Sequence, residues 1–203
     1  SNFVSKDARA LPVFILADTS GSMMGAKINE LNLALRHMIS EFQNVDEIRG
    51  KFQLSIITFG PDVQVSQPLA DIEGVQLTEL SAGGRTPMGA AFETVSAMIE
   101  DKSVVSSRSY TPTIVLVSDG VPTDCPEEYH SIGDYSKWAA LNKLKNRERS
   151  RKCQRLALAI GNDADVNMLR EFIGNADTPL IKAHNVQGIS KFFKWVTMST
   201  IAR

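Results

Sequence analysis

Asp18, Ser20, Ser22, Thr86 and Asp119 lie far apart in the chain, yet all carry oxygen donors of the kind that bind a hard cation. The first three form D-T-S-G-S directly after the apolar run "PVFILA". Thr86 sits in the glycine-rich stretch "SAGGRTPMG", and Asp119 follows "TIVLVS". A carboxylate at the end of a buried strand is costly unless opposite charge or several hydrogen bonds compensate it. A divalent metal would supply that charge. The set holds no thiol and no imidazole, so it suits Mg²⁺ ahead of Ca²⁺ or Mn²⁺. Mg²⁺ prefers six oxygens and retains waters, so few protein ligands leave a coordination position open. Acids paired with a lysine instead of a metal would speak against this reading.

Three strand ends must meet for these groups to share one point. Apolar runs at 13–17, 53–59, 113–118, 156–160 and 180–183 read as strands. The first, third and fourth are nearly continuous rather than alternating, as expected for strands covered on both faces. A weaker run at 63–66 follows "FGPD" too closely for a parallel crossover. It reads as an antiparallel hairpin partner at an edge. Between the strands, Ile28, Leu31, Leu35, Met38, Ile39 and Phe42 recur at helical steps. Met88, Phe92, Val95, Met98 and Ile99 do the same, as do shorter sets at 166–173 and 189–201. The expected fold is α/β: a doubly wound, mainly parallel six-stranded sheet with one antiparallel edge strand and helices on both faces. In such a sheet, ligands bind outside the carboxyl ends of the strands, where strand order reverses.

The 203 residues suit a single domain over 1–203, with 43% hydrophobic residues for its core. The 22 basic and 23 acidic residues nearly cancel, so charge argues for neither nucleic acid nor a membrane as partner. No run reaches the length of a membrane span. Ser1 and Asn2 read as a cloning remnant, and the polar first residues do not resemble a secretory leader. Cys125 and Cys153 form no C-x-x-C pair, so reduced thiols and a cytoplasmic location are the expectation. A bridge between the two stays open at the level of sequence. Residues 121–132, with two prolines, read as a surface loop. "SKWAALNKLKNRERSRK" reads as a helix burying Trp138, Leu141 and Leu144. Its basic residues form either a solvated face or a surface for an acidic partner.

D-T-S-G-S, a threonine in a glycine-rich loop and S-D-G after a strand together resemble the metal-ion-dependent adhesion site of von Willebrand factor A domains. The family pattern is D-x-S-x-S…T…D, and Asp18, Ser20, Ser22, Thr86 and Asp119 match all of it. The order of strands and helices fits as well, so the resemblance covers nearly the whole chain. It implies that the serines bind metal directly and the threonine directly or through water. The aspartates would act largely through water. Within the family, "FILADTSGSMMGAKINELN", "GGRTPMGAAF", "SDGVPTD" and "FFKWVT" look most like bacterial TerY-type proteins linked to tellurium resistance and stress operons. Those are intracellular and associated with protein kinases and phosphatases. The implied function is a Mg²⁺-dependent binding module whose open position takes an Asp or Glu of a partner protein, such as a kinase or phosphatase encoded nearby. By analogy with adhesion-type relatives, the last helix would move along its axis on binding. Arg85 and Asp124 are candidates for the rim of the site.

Other chemistries fit less well. Ser22 or Asp18 could merely cap the helix starting near Ala26, but that leaves Thr86 and Asp119 unexplained. A phosphoryl-transfer hydrolase would use Asp18 as nucleophile. The haloacid-dehalogenase pattern D-x-D-x-[TV] needs a second carboxylate where this chain has Ser20, and a hydroxyl is a poor acid/base. "GSMMGAK" falls short of a phosphate loop, and neither G-x-G-x-x-G nor G-x-S-x-G appears in the required place. Extracellular adhesion, common among A domains, is disfavoured by the sparse cysteines and the missing leader. His37, His130 and His184 have no zinc spacing. Glu127 and Glu128 read as solvated loop charges, and Cys125 as an inert thiol rather than a redox sensor.

Overall fold

The computed structural model describes residues 9–44 and 50–202. Ser1 and Asn2 lie outside the described residues. The strands are β1 (Arg9–Asp18), β2 (Gly50–Phe59), β3 (Val63–Asp71), β4 (Thr113–Ser118), β5 (Gln154–Ile160) and β6 (Ile181–Ala183). They form one sheet in the order β3-β2-β1-β4-β5-β6. All neighbours are parallel except β2 and β3. That pair is antiparallel because residues 60–62 are too short to carry a crossover. β3 runs on past Pro68 to Asp71, farther than the expected 63–66, because an edge strand tolerates a missing N–H.

Among the described residues six helices surround the sheet: α1 (Ala26–Gln43), α2 (Met88–Glu100), α3 (Glu127–Ile132), α4 (Ala139–Asn146), α5 (Val166–Ile173) and α6 (Val186–Ile201). The alternation of β1 explains the layers. Val13, Ile15 and Ala17 point into a core shared with α1 and α6. Phe14 and Leu16 point into a second core shared with α2, α4 and α5. Both faces of the strand are buried, which is why its sequence reads as an unbroken apolar run.

Two segments depart from expectation. Residues 121–132 are not wholly a loop, since 127–132 form α3. Pro126 precedes the helix instead of interrupting it, Glu127 and Glu128 occupy its first turn, and Gly133 ends it at φ +65°. The basic stretch after Trp138 is not one helix. α4 stops at Asn146, and a 3-10 turn, Ser150–Lys152, follows. Arg149 explains the break. Its guanidinium donates to the carbonyls of Ile99 at 2.5 Å and Val105 at 2.7 Å, while Glu100 accepts from the N–H groups of Arg149 and Ser150. These bonds need the chain to turn here. Trp138, Leu141 and Leu144 are buried as expected. Several of the basic side chains serve internal contacts: Lys145 pairs with Glu171 at 2.9 Å and Arg147 donates to Ser96 at 3.1 Å.

Cys125 and Cys153 are both buried and are not bridged to each other. Burial, with the charges of Asp124 and Asp165 nearby, pushes the Cys125 thiol up to about 11. At pH 8 its thiolate fraction is then roughly a hundredfold below that of an ordinary cysteine. Iodoacetamide labelling of Cys125, followed by mass spectrometry, is expected to be slower than that of a model thiol by about that factor. Labelling at the model rate would restore a redox-sensing role.

Candidate metal centre

The strand order reverses between β1 and β4. β1 leads outward to β2 and β3, and β4 leads the other way to β5 and β6. Ala17 lies level with Val117 across that pair, so Asp18 and Ser118 emerge side by side at the carboxyl edge. Asp119 is the next residue. The crevice expected of an open α/β sheet therefore opens between the two carboxylates.

Both acids are almost fully buried, Asp18 at 0% and Asp119 at 1% exposure. Asp18 Oδ1 accepts from the Ser20 N–H at 2.9 Å, and its Oδ2 accepts from the Ser118 hydroxyl at 2.7 Å. Burial raises the Asp18 pKa. The hydrogen bonds from Ser20 and Ser118 oppose that rise, and the negative charge of Asp119 adds to it. Asp119 Oδ1 accepts from the Ser22 hydroxyl at 2.7 Å, and Oδ2 takes Lys27 Nζ at 2.8 Å. The Ser20 and Ser22 hydroxyl oxygens lie 3.1 Å apart.

Thr86 reaches the same place through its loop. The Gly83 N–H donates to the Thr19 carbonyl at 2.8 Å, and the Gly21 N–H donates to the Gly84 carbonyl at 3.1 Å. These bonds clip the glycine-rich loop to the D-T-S-G-S turn. On the other side, the Thr123 N–H donates to the Thr86 carbonyl at 2.9 Å, and the Thr86 N–H donates to the Thr123 hydroxyl at 3.1 Å. Thr86 is thus held between the segments that follow β1 and β4. It is 7% exposed, and its hydroxyl has no hydrogen-bond partner among the described residues.

Glycine is required where the loops touch. A Cβ on Gly60 would meet the carbonyls of Thr19 at 2.6 Å and Gly83 at 2.8 Å. Gly84 has φ +76°, and a Cβ there would lie 2.5 Å from the backbone of Pro61. Gly84→Ala combines a left-handed conformation with a backbone clash, and is expected to cost about 2–4 kcal/mol. Urea unfolding measures this. A cost under about 0.5 kcal/mol would mean that the loop shifts freely.

The donor set fits a hard dication. Two ligands in adjacent positions of an octahedron with bonds of about 2.1 Å stand roughly 3.0 Å apart. The serine oxygens already have that spacing. Against the fit stands the Lys27–Asp119 ion pair, the lysine pairing named above as adverse; it engages one of the two buried acids, and Asp18 has no ion pair among the described residues. Helix capping does not account for these residues. The residue before α1 is Gly25, and no side chain caps that helix. Lys27 and Ser118 belong to the arrangement but escaped sequence reasoning. Lys27 stands in "GSMMGAK", tested above only as a phosphate loop, and Ser118 was read only as the end of a strand.

Arg85 is exposed beside Thr86. The Asp124 carboxylate accepts from the N–H groups of Gly89 at 3.0 Å and Ala90 at 2.9 Å. It holds the first turn of α2, the helix that Thr86 leads into. The His130 ring and the Tyr135 hydroxyl are 2.7 Å apart, and that hydroxyl donates to Asp165, which caps α5. The Asp165 N–H in turn donates to the Gly120 carbonyl, so this cluster braces the residue after Asp119.

The profile of the von Willebrand factor type A domain matches residues 13–195. Among solved structures, the ArnB paralog VWA2 from Sulfolobus acidocaldarius superposes with a TM-score of 0.62 at 18% identity, over 91% of this chain and 44% of that chain. A von Willebrand factor type A protein from Catenulispora acidiphila gives 0.68 at 15% identity, over 96% of this chain and 43% of the other. Proximal thread matrix protein 1 from the mussel byssus, in a structure with a zinc-occupied MIDAS motif, gives 0.68 at 16% identity, over 93% and 47%. The chain thus spans less than half the length of each of these proteins. No curated protein sequence matches it. Its place rests on the matched profile, with the doubly wound sheet in agreement: the chain belongs to the von Willebrand factor type A domain family.

Proposed function

We propose that the chain is a protein-binding module of the metal-ion-dependent adhesion type, and that residues 1–203 form one such domain. Von Willebrand factor A domains are generally interaction or adhesion modules. Ser20, Ser22 and Thr86 would hold Mg²⁺ directly. Asp18 and Asp119 would stand behind them, orienting hydroxyls and waters and supplying negative charge. When bound, the ion offers an open position to an Asp or Glu carboxylate of a partner. The observation that carries this reading is the pair of serine hydroxyls 3.1 Å apart over two buried acids. Zinc occupies the MIDAS of the mussel protein. The all-oxygen set of this chain favours Mg²⁺, with Ca²⁺ or Mn²⁺ next.

Binding is favoured over catalysis by the state of Asp18. Both of its oxygens already accept hydrogen bonds, from Ser20 and Ser118, so it is poorly placed as a nucleophile. We further propose a TerY-type role in the bacterial cytoplasm, in a stress or tellurium-resistance system with a kinase or phosphatase as partner. The support for this narrower reading is the likeness of "GGRTPMGAAF" and "SDGVPTD" to that group. Among the described residues no helix is long and apolar enough to cross a membrane. The test is affinity capture from native cells, with Mg²⁺ and with chelator, using the natural chain and Ser20→Ala/Ser22→Ala. A partner recovered only by the natural chain in Mg²⁺ is expected. Identical recovery in all four samples would overturn the proposal.

A further inference from the structure

A cleft of about 230 Å³ opens at the edge of the sheet opposite the metal crevice. Gln154, the first residue of β5, lies level with Thr113 in β4, and Asp119 is six positions farther along. At about 3.3 Å per strand residue, the cleft is roughly 20 Å from the metal crevice. Arg151, Lys152, Gln154 and Arg155 line it at the entry to β5, and Asn175 and Thr178 line it from the segment after α5. No aspartate or glutamate does. The cleft is too small for a drug-sized ligand and has room for a single ionic group.

The basic stretch after Trp138 thus divides. Lys145, Arg147 and Arg149 serve internal contacts, whereas Arg151 and Lys152 stay exposed beside Arg155. None of these last three has an ion pair among the described residues. Arg155 is half-buried, and a charge taken out of water is costly unless an opposite charge meets it. Burial pushes its pKa down, and only Cys153 opposes that. Its Nε donates to the Phe172 carbonyl at the end of α5 at 2.6 Å, but its terminal nitrogens make no hydrogen bond among the described residues. Gly174, which ends α5 at φ +72°, leaves room for them, since a Cβ there would stand 2.9 Å from Nη2. Ile173 and Asn175, on either side of Gly174, both line the cleft, so the guanidinium lies at its wall. Two amides add to the unmet polarity. The Gln154 side chain makes no hydrogen bond among the described residues, and its Oε1 is buried. Asn175 Oδ1 accepts from the Asp177 N–H at 2.9 Å, which leaves the Asn175 amide nitrogen to donate.

We infer that this cleft binds a phosphoryl group, carried by a phosphorylated side chain or present as free phosphate. Three cations with no acid among them suit a group of nearly two negative charges and three acceptor oxygens. A carboxylate brings one charge and two oxygens and would leave donors unused. Arg155 supplies a planar fork already oriented by its Nε bond, and Arg151 and Lys152 add charge at the mouth. The site is separate from the metal crevice and does not depend on the metal reading.

A fluorescein-labelled glycine peptide carrying one phosphoserine tests this, beside the same peptide with glutamate or serine in its place. Binding is read by fluorescence polarisation in EDTA, which removes any contribution from a metal-bound phosphate, with inorganic phosphate as competitor. The phosphoserine peptide is expected to bind about tenfold or more tighter than the glutamate peptide, as extra charge-assisted bonds allow. In Arg151→Gln/Lys152→Gln, whose replaced side chains are exposed and whose fold should hold, that affinity should fall about tenfold or more. Arg155→Lys keeps the charge but loses the fork, and a similar fall is expected. Either result with the competitor supports the assignment. Inorganic phosphate competing at the peptide's own affinity makes the bare phosphoryl group the ligand, and a peptide bound about tenfold or more tighter makes it a phosphorylated chain. Equal binding of phosphoserine and glutamate peptides would overturn the inference, as would no binding of phosphopeptide or phosphate up to about 1 mM. So would an affinity unchanged in both variants. Binding seen only in Mg²⁺ and lost in Ser20→Ala/Ser22→Ala would place the phosphate at the metal crevice and overturn it too.

Discussion

Ser20→Ala/Ser22→Ala is expected to fold normally and to lose its response to magnesium. In the natural chain, saturation at about a hundred times Kd stabilises the fold by roughly 2.7 kcal/mol. For a domain of this size that raises Tm by about 5–10 °C. The variant removes the two hydroxyls whose 3.1 Å spacing suits adjacent metal positions. Its magnesium affinity should fall by more than about a hundredfold, and the Tm shift should disappear at the same concentration. The cost to the metal-free fold is smaller. Asp119 loses the Ser22 bond but keeps Lys27, and Asp18 loses the Ser20 hydroxyl but keeps the Ser20 N–H and the Ser118 hydroxyl. About 1–2 kcal/mol is expected for that loss. Ser118→Ala is the contrast. It leaves a buried Asp18 oxygen without its donor, so Tm should fall with and without magnesium. An undiminished magnesium shift in the serine variant would place the metal elsewhere or nowhere.

The sheet was readable because its chemistry is local. β1 and β4 are buried on both faces, and unbroken apolar runs mark such strands; the short 60–62 link fixes β3 as antiparallel. The oxygen groups at the strand ends were readable for the same reason, since polar residues after an apolar run stand out. What stayed hidden depends on contacts across the chain. Lys27 lies 92 positions from Asp119, and nothing in "GAK" tells a solvated lysine from one bonded to a buried acid. Asp124 was a candidate for the rim, but that its carboxylate holds the α2 backbone could not be read from the sequence. α3 and the break after α4 turn on where a proline falls and what Arg149 reaches, and neither has a periodic signature.

Lys27 also decides how readily the crevice accepts a cation, and Lys27→Met separates two roles for it. Its ammonium lies 2.8 Å from a carboxylate whose side chain is 0% exposed, while the lysine itself is 31% exposed. If the lysine only fixed the orientation of Asp119, its loss would weaken metal binding. Charge argues the other way. A unit positive charge within several ångströms of a dication costs kilocalories per mole of repulsion at an effective dielectric near 20. The ammonium also neutralises the carboxylate that a metal would draw on. The methionine variant should therefore bind magnesium about tenfold or more tighter by calorimetry, with Lys27→Arg close to the natural chain. The metal-free fold should suffer, because a buried carboxylate then faces only the Ser22 hydroxyl. A fully buried pair broken in this way costs about 3–5 kcal/mol, and the exposure of Lys27 brings the expectation down to about 2 kcal/mol. The two changes have opposite signs: Tm falls in EDTA, and the gain on adding magnesium grows. Weaker magnesium binding in Lys27→Met would make the lysine a positioning residue. Unchanged binding would remove it from the site altogether.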